Sequence, residues 1–403
     1  MNAFSVTSRQ ICTRCIYDER VSGIHFDEKG VCSFCHTMDS LIEQYQTGRP
    51  EGEKKLQAIL DQIKKDGKGK KYDCIIGVSG GTDSSYLVAK AVEWGIRPLA
   101  VHYDNTWNTG IATENIRKVL GKLKVDLYTY VIDNQEADDI FLSFIKAGVP
   151  ELDASTDLAL AEVMYRAASK YGIQYVMEGH SFVAEGIAPI GSMYFDGKYI
   201  QSIHKKFGTL PMQSYPLMDF LSFMKWVLWK KIKKIRPFWY MKYSKEEARE
   251  FLTREFGWEY YGGHHLENRI TAFQHSYYNY HKFGIDNRNL SLAAAVRANL
   301  LDREKAIDIF YNQKPNIEEG LLDYFKKRLR ISDAEFEAMM KIPNKTYKDY
   351  ETYKPLFEKL RPLFYVLAKC NLVPMSFYIK YTSKDKPTVC QIEKKAFFEK
   401  ARK

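Results

Sequence analysis

A short apolar run, followed at once by a turn of glycine and hydroxyl residues, constrains the fold of this chain more than any other feature. Residues 74–78 have the length and the β-branched content of a buried parallel strand. The turn occupies residues 79–85, and apolar positions recur at helical spacing over residues 86–92. Gly80 and Gly81 allow the turn to adopt positive φ and to approach a ligand closely. The pattern predicts a strand–turn–helix unit of an α/β fold.

The turn has the properties of a phosphate-binding site. Main-chain N–H groups at the start of a helix, with the helix dipole behind them, attract anions. The lysine and the spacing of a Walker A loop are absent. An ordinary strand-to-helix loop is the alternative, but the string SGGTDSS between a buried strand and a helix favours the phosphate site. Asp83 is the expected Mg²⁺ ligand and a catalytic candidate. The predicted nucleotide-binding residues of the turn are Ser79, Gly80, Gly81, Thr82, Asp83, Ser84 and Ser85.

Strands and helices alternate from residue 72 to about residue 185, which predicts a doubly wound parallel sheet. Ligands of such sheets bind beyond the carboxyl ends of the strands, where the strand order reverses. The residues that follow predicted strands are therefore further candidates. For Asp104, contact with adenosine and simple termination of a strand are equally supported. The candidates are His102, Asp104 and Gly179 for the nucleotide, and His180 and Glu185 for catalysis.

Four of the seven cysteines form two C-x-x-C pairs near the N-terminus, separated by sixteen residues. This spacing is typical of a structural zinc site with four thiolate ligands, which leaves no open position for water. An iron–sulfur cluster or a redox pair is the competing interpretation. The predicted ligands are Cys12, Cys15, Cys32 and Cys35.

Basic residues outside the turn are candidates for binding an anionic substrate, although an exposed basic turn explains the first two equally well. Lys205 and Lys206 lie in a glycine- and aromatic-rich segment, residues 186–215. Arg269, Lys282 and Arg288 lie in a polar, aromatic segment, where they are candidates for phosphate or carboxylate clamps. The sequence H-H-x-E at residues 264–267 lacks the H-E-x-x-H spacing of a zinc protease.

Composition and charge narrow the partners. The net charge of +10 favours anionic partners, although a generally basic surface explains much of it. The N-terminal residues lack an apolar secretory segment and no run is long enough to span a bilayer, so we expect a cytoplasmic protein. Residues 37–70 predict one helix and a basic linker. The pattern of residues 217–236 predicts a helix that docks on the core and has a basic C-terminal end. A partner-binding helix and an interfacial helix at an anionic membrane are the less favoured alternatives.

The chain resembles the N-acetyl sugar amidotransferase family of the PP-loop ATP pyrophosphatase superfamily over roughly residues 10–345. The resemblance is carried by the four cysteines, SGGTDSS, GHSFVAEGIAPIGSMYFDGKYI and the GWEYYGGHHLENRITAFQ segment that precedes KFGID. The segment 178–181 differs from the ENPA-type segment of the branch that makes amidino pseudaminic or legionaminic acids. The chain is therefore most similar to the branch that acts on a nucleotide-linked 2,3-diacetamido-mannuronic acid for lipopolysaccharide O-antigen.

The resemblance implies an adenine nucleotide alpha hydrolase-like fold, with a zinc element at the N-terminus and a helical C-terminal region. We divide the chain into a zinc-binding element (1–40), a helix and linker (41–71), a PP-loop domain (72–215), a helical substrate- or partner-binding region (216–345) and a helical basic tail (346–403). The implied cofactors are ATP, Mg²⁺ and structural Zn²⁺.

The resemblance also implies the reaction and its partners. ATP adenylates the N-acetyl oxygen, pyrophosphate leaves, and ammonia then displaces AMP to give an acetamidino group. The second residue is Asn2, not a cysteine, and we find no glutaminase nucleophile. We therefore expect a separate glutaminase subunit, similar to the glutamine amidotransferase of histidine biosynthesis, with a cyclase-like companion. No nucleic acid partner is expected.

A tRNA-modifying enzyme, either a thiolase or a lysidine-type ligase, is the competing function. It shares the phosphate-binding loop and some members carry N-terminal zinc ribbons. Such thiolases use further paired cysteines, whereas Cys74, Cys370 and Cys390 stand alone in this chain. No compact basic and aromatic RNA-binding module stands out. A non-catalytic nucleotide-binding protein is disfavoured by the intact loop.

Overall fold

A parallel sheet of five strands forms the centre of the fold. The computed structural model describes residues 9–187, 193–263, 266–370 and 372–383. The strands are β1 (Cys74–Gly77), β2 (Pro98–Asp104), β3 (Leu127–Val131), β4 (Tyr175–Met177) and β5 (Lys233–Ile235). Their order in the sheet is β3-β2-β1-β4-β5, and every neighbouring pair is parallel.

Helices surround the sheet and form the C-terminal region. In the N-terminal half they are α1 (Ser33–Tyr45), α2 (Pro50–Asp66), α3 (Thr82–Glu93), α4 (Gly110–Leu123), α5 (Asn134–Ala147), α6 (Ala154–Lys170), α7 (Phe182–Glu185) and α8 (Gly197–Phe207). Those that follow are α9 (Phe220–Met224), α10 (Lys245–Phe256), α11 (Arg269–Phe273), α12 (Arg288–Arg297), α13 (Arg303–Ile307), α14 (Leu321–Leu329), α15 (Asp333–Lys341), α16 (Lys354–Lys359), α17 (Arg361–Lys369) and α18 (Met375–Thr382). Helices of π type span Lys225–Trp229, Gln274–Phe283 and Asp308–Asn312, and 3₁₀ turns span Pro237–Trp239 and Tyr347–Asp349.

The two faces of the sheet are buried in two separate cores, because side chains alternate along each strand. Ile75 of β1 packs with residues of α5, α6 and α8. Its neighbours Cys74 and Ile76 point to the other side and pack with residues of α2, α3, α4 and α10. Both faces are therefore covered by helices, which confirms the doubly wound parallel sheet. The succession of strands runs to one side of β1 through β2 and β3 and then crosses to β4 on the other side, so the order reverses between β1 and β4.

The predicted single helix over residues 37–70 is wrong. The structure has two helices there, α1 and α2, separated by four residues. Gln46 ends α1 in a left-handed conformation with φ of 55°, and Pro50 begins α2 at its first turn. Proline has no N–H to continue the preceding helix, but it fits the first turn of a new one.

The prediction for residues 217–236 is only partly correct. The segment begins as a helix, α9 and the π turn that follows it, and Trp226 and Val227 are buried as expected for docking on the core. The basic end, however, is not helical: Lys233–Ile235 forms β5 and pairs with β4 at the edge of the sheet. Lys231, with φ of 51°, lies where the helix gives way to the strand.

The described residues nearest each end of the chain form two small hydrophobic clusters. The four predicted metal ligands lie together, and their knuckles pack against α12 and α13. Helices α16, α17 and α18 pack with α9 and the π turn through phenylalanines. Within the described ranges, none of the helices has both the length and the apolar character that crossing a bilayer requires. Outside the described residues lie His264, His265, residues 188–192 of the predicted insertion, and Asn371 and residues 384–403 of the predicted tail, which include Cys390.

Candidate active site

The predicted phosphate-binding turn lies at the carboxyl end of β1, where the strand order reverses. Gly80 has φ of 80°, and a Cβ atom there would lie 2.2 Å from the carbonyl oxygen of Ala112 on α4. The Nε1–H of Trp258 donates to the Gly80 carbonyl at 3.1 Å. The N-cap residue of α3 is Gly81, which has no side chain to accept from the first turn. The main-chain N–H of Thr82 is hydrogen-bonded to Tyr261. N–H groups at the start of a helix form an anion site.

The hydroxyl groups of the turn hydrogen-bond one another. The Oγ atom of Ser84 accepts from the N–H of Ser79 at 3.4 Å, and the Ser79 Oγ accepts from the N–H of Gly81 at 3.3 Å. The hydroxyl of Ser79 also donates to Oε1 of Glu267 at 3.3 Å. The buried Glu267 reaches the turn because its main-chain carbonyl accepts from the N–H of Thr109, which joins this distant segment to the loop after β2.

Asp83 is the centre of a cluster of polar groups beside the turn. Nζ of Lys245 lies 3.0 Å from Oδ2 of Asp83 and 3.5 Å from Oε1 of Glu185. The hydroxyl of Tyr243 donates to the Asp83 carboxylate. Burial opposes the ionisation of Asp83, but the charge of Lys245 and the hydrogen bonds with Glu185, Tyr243 and Lys245 together outweigh burial and lower the pKa of the carboxyl group below its ordinary value. Asp83 is therefore ionised at neutral pH, as a ligand for a cation must be.

Lys245 carries a positive charge into the crevice. Burial acts to lower the pKa of this ammonium group, but the carboxylates of Asp83 and Glu185 outweigh burial and raise it. Lys245 is the first residue of α10, and Ser244 caps that helix with its hydroxyl. The lysine is thus held at a fixed helix end rather than on a loose loop.

The loop after β4 completes the cluster from the other side of the crevice. A Cβ atom on Gly179 would lie 2.9 Å from the Asp83 carbonyl oxygen, so this close approach requires glycine. Glu178 lies 2.6 Å from Nζ of Lys234 and 2.9 Å from Nε of Arg236. Burial would raise the pKa of Glu178, but these two charges lower it to about 2. The ion pairs fix the loop to β5.

His180 is neutral and oriented. The Nε1–H of Trp239 donates to Nδ1 of His180 at 3.2 Å, and Nε2 lies 3.5 Å from Oε2 of Glu185. Because an indole N–H only donates, the ring proton resides on Nε2 and faces Glu185. Burial, and then the charge of Arg236, lower the pKa of His180 to about 4.

Two residues predicted to bind the nucleotide, His102 and Asp104, form hydrogen bonds within the structure around the loop after β2. Nδ1 of His102 lies 2.7 Å from the Val78 carbonyl oxygen, and its Nε2 lies 3.1 Å from Nδ2 of Asn108. Oδ1 of Asp104 accepts from the N–H of Thr106 at 2.7 Å and from Nδ2 of Asn108 at 3.2 Å. The contacts of Asp104 favour termination of a strand over contact with adenosine.

Two residues predicted to bind the substrate, Lys282 and Arg288, contact other groups of the fold. Nζ of Lys282 donates to the carbonyls of Met340 and Ile342 at 2.9 and 2.7 Å, and its side chain is buried. The guanidinium group of Arg288 binds Asp286 at 2.7 Å and the Gln313 carbonyl at 2.6 Å. These cations satisfy main-chain acceptors and a carboxylate of the fold, and their predicted substrate role stays a prediction.

The remaining substrate candidates have contacts of their own. The guanidinium group of Arg269 lies 3.2 Å from Glu318 and stacks over the ring of Tyr324. Lys205 and Lys206 are exposed at the end of α8, and Lys206 lies over the rings of Phe207 and Tyr350. In the described ranges, neither lysine hydrogen-bonds the Ser79 turn. Their predicted substrate role stays a prediction.

The four cysteines form a compact thiol cluster. Their Sγ atoms all lie within 4.8 Å of one another, and all four side chains are buried. Four sulfur donors at this separation fit one tetrahedral metal ion. Four cysteines are also the donor set of iron–sulfur clusters. The N–H groups of Cys15 and Cys32 donate to Sγ of Cys12 at 3.4 and 3.2 Å. Such donors stabilise thiolates.

Sequence reasoning missed three residues of the site: Lys245, Tyr243 and Glu267. The only local signal is the presence of Glu267 in the polar, aromatic segment that follows residue 256. Each residue reaches the turn through a contact between distant parts of the chain, which no periodicity reveals.

A substitution at Gly81 tests whether the turn binds phosphates. A Cβ atom there would lie 3.0 Å from Oε1 of Glu267 and 3.1 Å from Oγ of Ser79, so Gly81→Ala narrows the turn without forcing positive φ. We expect ATP binding, measured by calorimetry, to weaken about tenfold, equivalent to about 1.4 kcal/mol. Gly110→Ala, where a Cβ meets nothing within 4 Å, is the control. Equal ATP affinity in both variants would contradict the assignment.

Comparison with known proteins identifies one segment by family. Residues 267–362 match the family described as LPS biosynthesis protein WbpG-like, C-terminal domain. The matched segment begins at Glu267, the residue that accepts from the Ser79 hydroxyl. An uncharacterized protein of Methanocaldococcus jannaschii is 31% identical over 171 residues. That alignment covers 42% of this chain and 58% of the archaeal protein, so the chain spans little more than half of this relative.

Several solved structures are similar at low TM-scores. NMN synthetase from Francisella tularensis has 14% identity and a TM-score of 0.30, covering 72% of this chain and 97% of that one. NH₃-dependent NAD synthetase from Campylobacter jejuni gives the same identity, TM-score and coverage. The U34-tRNA thiolase NcsA from Methanococcus maripaludis, solved with its 4Fe–4S cluster, has 11% identity and a TM-score of 0.31, covering 80% of this chain and 89% of that one.

Proposed function

We propose that this chain is an ATP-dependent amidotransferase that converts an N-acetyl group of a nucleotide-linked sugar into an acetamidino group. The observation that carries the proposal is the site itself: the helix N-terminus that begins at Gly81 and the Gly80–Gly81 turn adjoin a carboxylate, an ammonium group and a second carboxylate. The segment similar to the WbpG-like family supports a substrate from lipopolysaccharide biosynthesis. The proposed substrate is a nucleotide-linked 2,3-diacetamido-mannuronic acid of the O-antigen.

The turn and its neighbours divide the work of binding ATP. The N–H groups at the start of α3 and the hydroxyls of Ser79 and Ser84 bind the phosphates that leave as pyrophosphate. Asp83 and Glu267 are the oxygen donors that would hold Mg²⁺, because both carboxylates adjoin this turn. Bound Mg²⁺ supplies neutralisation of phosphate charge. Lys245 adds a second positive charge at the same place.

The reaction balances without another cofactor. The N-acetyl oxygen attacks the α-phosphorus of ATP, and the bond from that phosphorus to pyrophosphate breaks. Ammonia then attacks the imidate carbon, and the bond from carbon to the AMP oxygen breaks. The acetyl oxygen therefore ends in AMP, and nitrogen takes its place in the sugar. The proton released by ammonia needs an acceptor within hydrogen-bond reach.

Glu185 is the proposed acceptor, and His180 is the proposed residue that orients it. His180 has its Nδ1 occupied by Trp239 and directs Nε2–H to Glu185, so the ring offers no lone pair to ammonia in this tautomer. The Glu185 carboxylate lies beside Lys245 and forms the end of α7, next to the crevice. This narrows the two catalytic candidates to one base and one positioning residue.

The chemistry of the cysteines supports an external source of ammonia. Cys74 is fully buried in β1, and burial raises the pKa of its thiol. The four clustered cysteines are engaged with one another. Glutamine hydrolysis requires an activated, accessible thiolate. Neither Cys74 nor the four clustered cysteines supply such a thiolate, and we propose a separate glutaminase subunit with a cyclase-like companion. The purified chain should use ammonium, and it should use glutamine only when that subunit is added.

Pyrophosphate release from ATP tests the function directly. We expect release, with AMP formation, only when ammonium and the diacetamido-mannuronic acid nucleotide are both present. A substrate labelled with oxygen-18 in the acetyl groups should transfer one labelled oxygen to AMP, as mass spectrometry would show. Bulk tRNA in place of the sugar nucleotide is the second arm. Release that depends on tRNA would replace the proposal with a tRNA-modifying function.

A further inference from the structure

The exposed side chains of the segment from Phe220 to Lys231 are all either apolar or basic. Its exposed residues are leucine, tryptophan or lysine without exception, and the list is Leu221, Lys225, Leu228, Trp229, Lys230 and Lys231. The side chain of Trp229 is 83% exposed and that of Leu221 is 76% exposed. We refer to these six residues as the lysine–tryptophan face. Single exposed apolar residues are ordinary, but a contiguous group with no neutral polar residue indicates a contact surface.

The opposite side of the same segment is already packed. Val227 is buried, and Phe223 stacks on Phe364 and Phe377 of α17 and α18. Nε1–H of Trp226 donates to Glu162 of α6 at 2.8 Å. The helix therefore does not need its outer residues to join the core, and the lysine–tryptophan face is held rigidly in its outward position.

We propose that the lysine–tryptophan face docks on the surface of an anionic lipid bilayer. Leucine and tryptophan side chains of an interfacial helix bury themselves at the boundary of headgroups and acyl chains, and flanking lysines pair with anionic headgroups. Protein interfaces are enriched in tryptophan but depleted in lysine. Half of the six exposed residues are lysines, so the composition favours a lipid surface over a protein partner.

Charge near the face agrees with this occupant. The acidic residue next to the segment, Asp219, is turned inward to cap α9, accepting from the N–H of Ser222 at 2.7 Å. No acidic side chain of residues 220–231 opposes the three lysines. A juxtaposed lysine contributes about 1 kcal/mol to binding an anionic surface. Three lysines with Trp229 and two leucines therefore provide both signals that stable peripheral binding requires.

The face is also connected to the active site. Lys231 leads directly into β5, whose Lys234 holds Glu178 at 2.6 Å. Glu178 begins the loop that carries Gly179 and His180. Docking would thus hold the crevice at a set distance from the bilayer, and this inference stands whether or not the proposed reaction is correct.

Sedimentation with vesicles tests the proposal. The intact chain is mixed with vesicles of phosphatidylcholine alone or with added phosphatidylglycerol, and tryptophan emission is recorded. We expect binding to the anionic vesicles, a blue shift of the emission, and release at high salt. Trp229→Ser combined with Leu221→Ser should weaken binding at least about tenfold. Lys225→Gln, Lys230→Gln and Lys231→Gln together should abolish the preference for anionic vesicles.

Matched variants elsewhere separate docking from general stickiness. Val131→Ser removes an apolar side chain that is 57% exposed on the edge strand β3, and Lys54→Gln removes an exposed charge from α2. Both should bind vesicles like the parent chain, and circular dichroism should show that every variant is folded. Equal loss in the face variants and these controls, or failure of the parent chain to sediment with anionic vesicles, would overturn the proposal. Binding of the parent chain to an acidic protein, without binding to anionic vesicles, would also overturn the proposal.

Discussion

Asp83→Asn is expected to slow ATP-dependent pyrophosphate release by at least about 100-fold, the size of effect seen when one preorganised charged or hydrogen-bonding group is removed from a transition state. The substitution preserves the size of the side chain but removes the charge that faces Lys245 at 3.0 Å. It also removes one of the two carboxylates that would hold Mg²⁺. Single-turnover release of pyrophosphate, with saturating ATP, is the measurement.

The fold of the Asp83 variant should remain intact. Asparagine can still accept a hydrogen bond from the Tyr243 hydroxyl, and Glu185 still faces Lys245 at 3.5 Å. The thermal midpoint should therefore fall by only a few degrees, which corresponds to a loss of about 1 kcal/mol. A variant that lost its folded circular dichroism spectrum would report on stability and not on catalysis.

Asp104→Asn is the matched control, because Asp104 also lies at the carboxyl end of a strand, as the last residue of β2. Its Oδ1 accepts from the N–H of Thr106 and from Asn108, and an amide oxygen can replace it in both contacts. We expect its rate to lie within about threefold of the parent. If Asp83→Asn retained the parent rate, Asp83 would not be a ligand of the proposed Mg²⁺.

The contrast between these two aspartates shows what the sequence could reveal. Both lie at the carboxyl ends of strands, where ligands bind in such sheets. The sequence marked Asp83 by its place in the SGGTDSS turn, and it marked Asp104 by topology alone. Only long-range contacts separate them: Asp83 meets Lys245 and Tyr243, whereas Asp104 closes a local turn. The strand, the turn and the four cysteines are local patterns, and these were predicted. Contacts between segments far apart in the chain carry no local pattern.

The same reason explains the errors in the secondary structure. Strand β5 is only three residues long, reads Lys-Lys-Ile, and is half-buried at an edge of the sheet. Short polar edge strands lack the apolar run that marks a central strand. The pairing of β5 with β4 could therefore not be predicted from the sequence. The contacts of Lys282 could not be predicted for a related reason, since the carbonyls that bind it come from the end of α15 and beyond.

The four-cysteine cluster and the candidate active site are joined through one helix, α12. Arg297, at the end of α12, donates to Sγ of Cys15 and Cys35 at 3.2 and 3.3 Å. The same helix packs against α7, where a Cβ on Gly186 would lie 2.9 Å from the Leu290 carbonyl oxygen. Glu185 is the last residue of α7. Loosening α12 should therefore disturb the proposed base without any contact between metal and substrate.

Arg297→Gln is expected to weaken metal binding and to destabilise the N-terminal element. Four thiolates around one Zn²⁺ carry an excess of negative charge, and the Arg297 side chain, 4% exposed, lies against the sulfurs. Leaving buried charge uncompensated destabilises by about 3–5 kcal/mol. The metal should leave faster to a chromogenic chelator, and the thermal midpoint should fall.

Arg303→Gln is the control that separates charge compensation from packing. Arg303 donates to the main-chain carbonyls of Cys12 and Cys15, not to their sulfurs. Its loss removes ordinary hydrogen bonds, worth about 1 kcal/mol each, and should leave the rate of metal release nearly unchanged. Elemental analysis of the parent chain identifies the bound metal. If iron and sulfide were found instead of zinc, the four cysteines would be assigned to an iron–sulfur cluster. Equal metal release from both arginine variants would contradict a role for Arg297 in holding the thiolate charge, because then the helix contacts alone would explain the stability of the site.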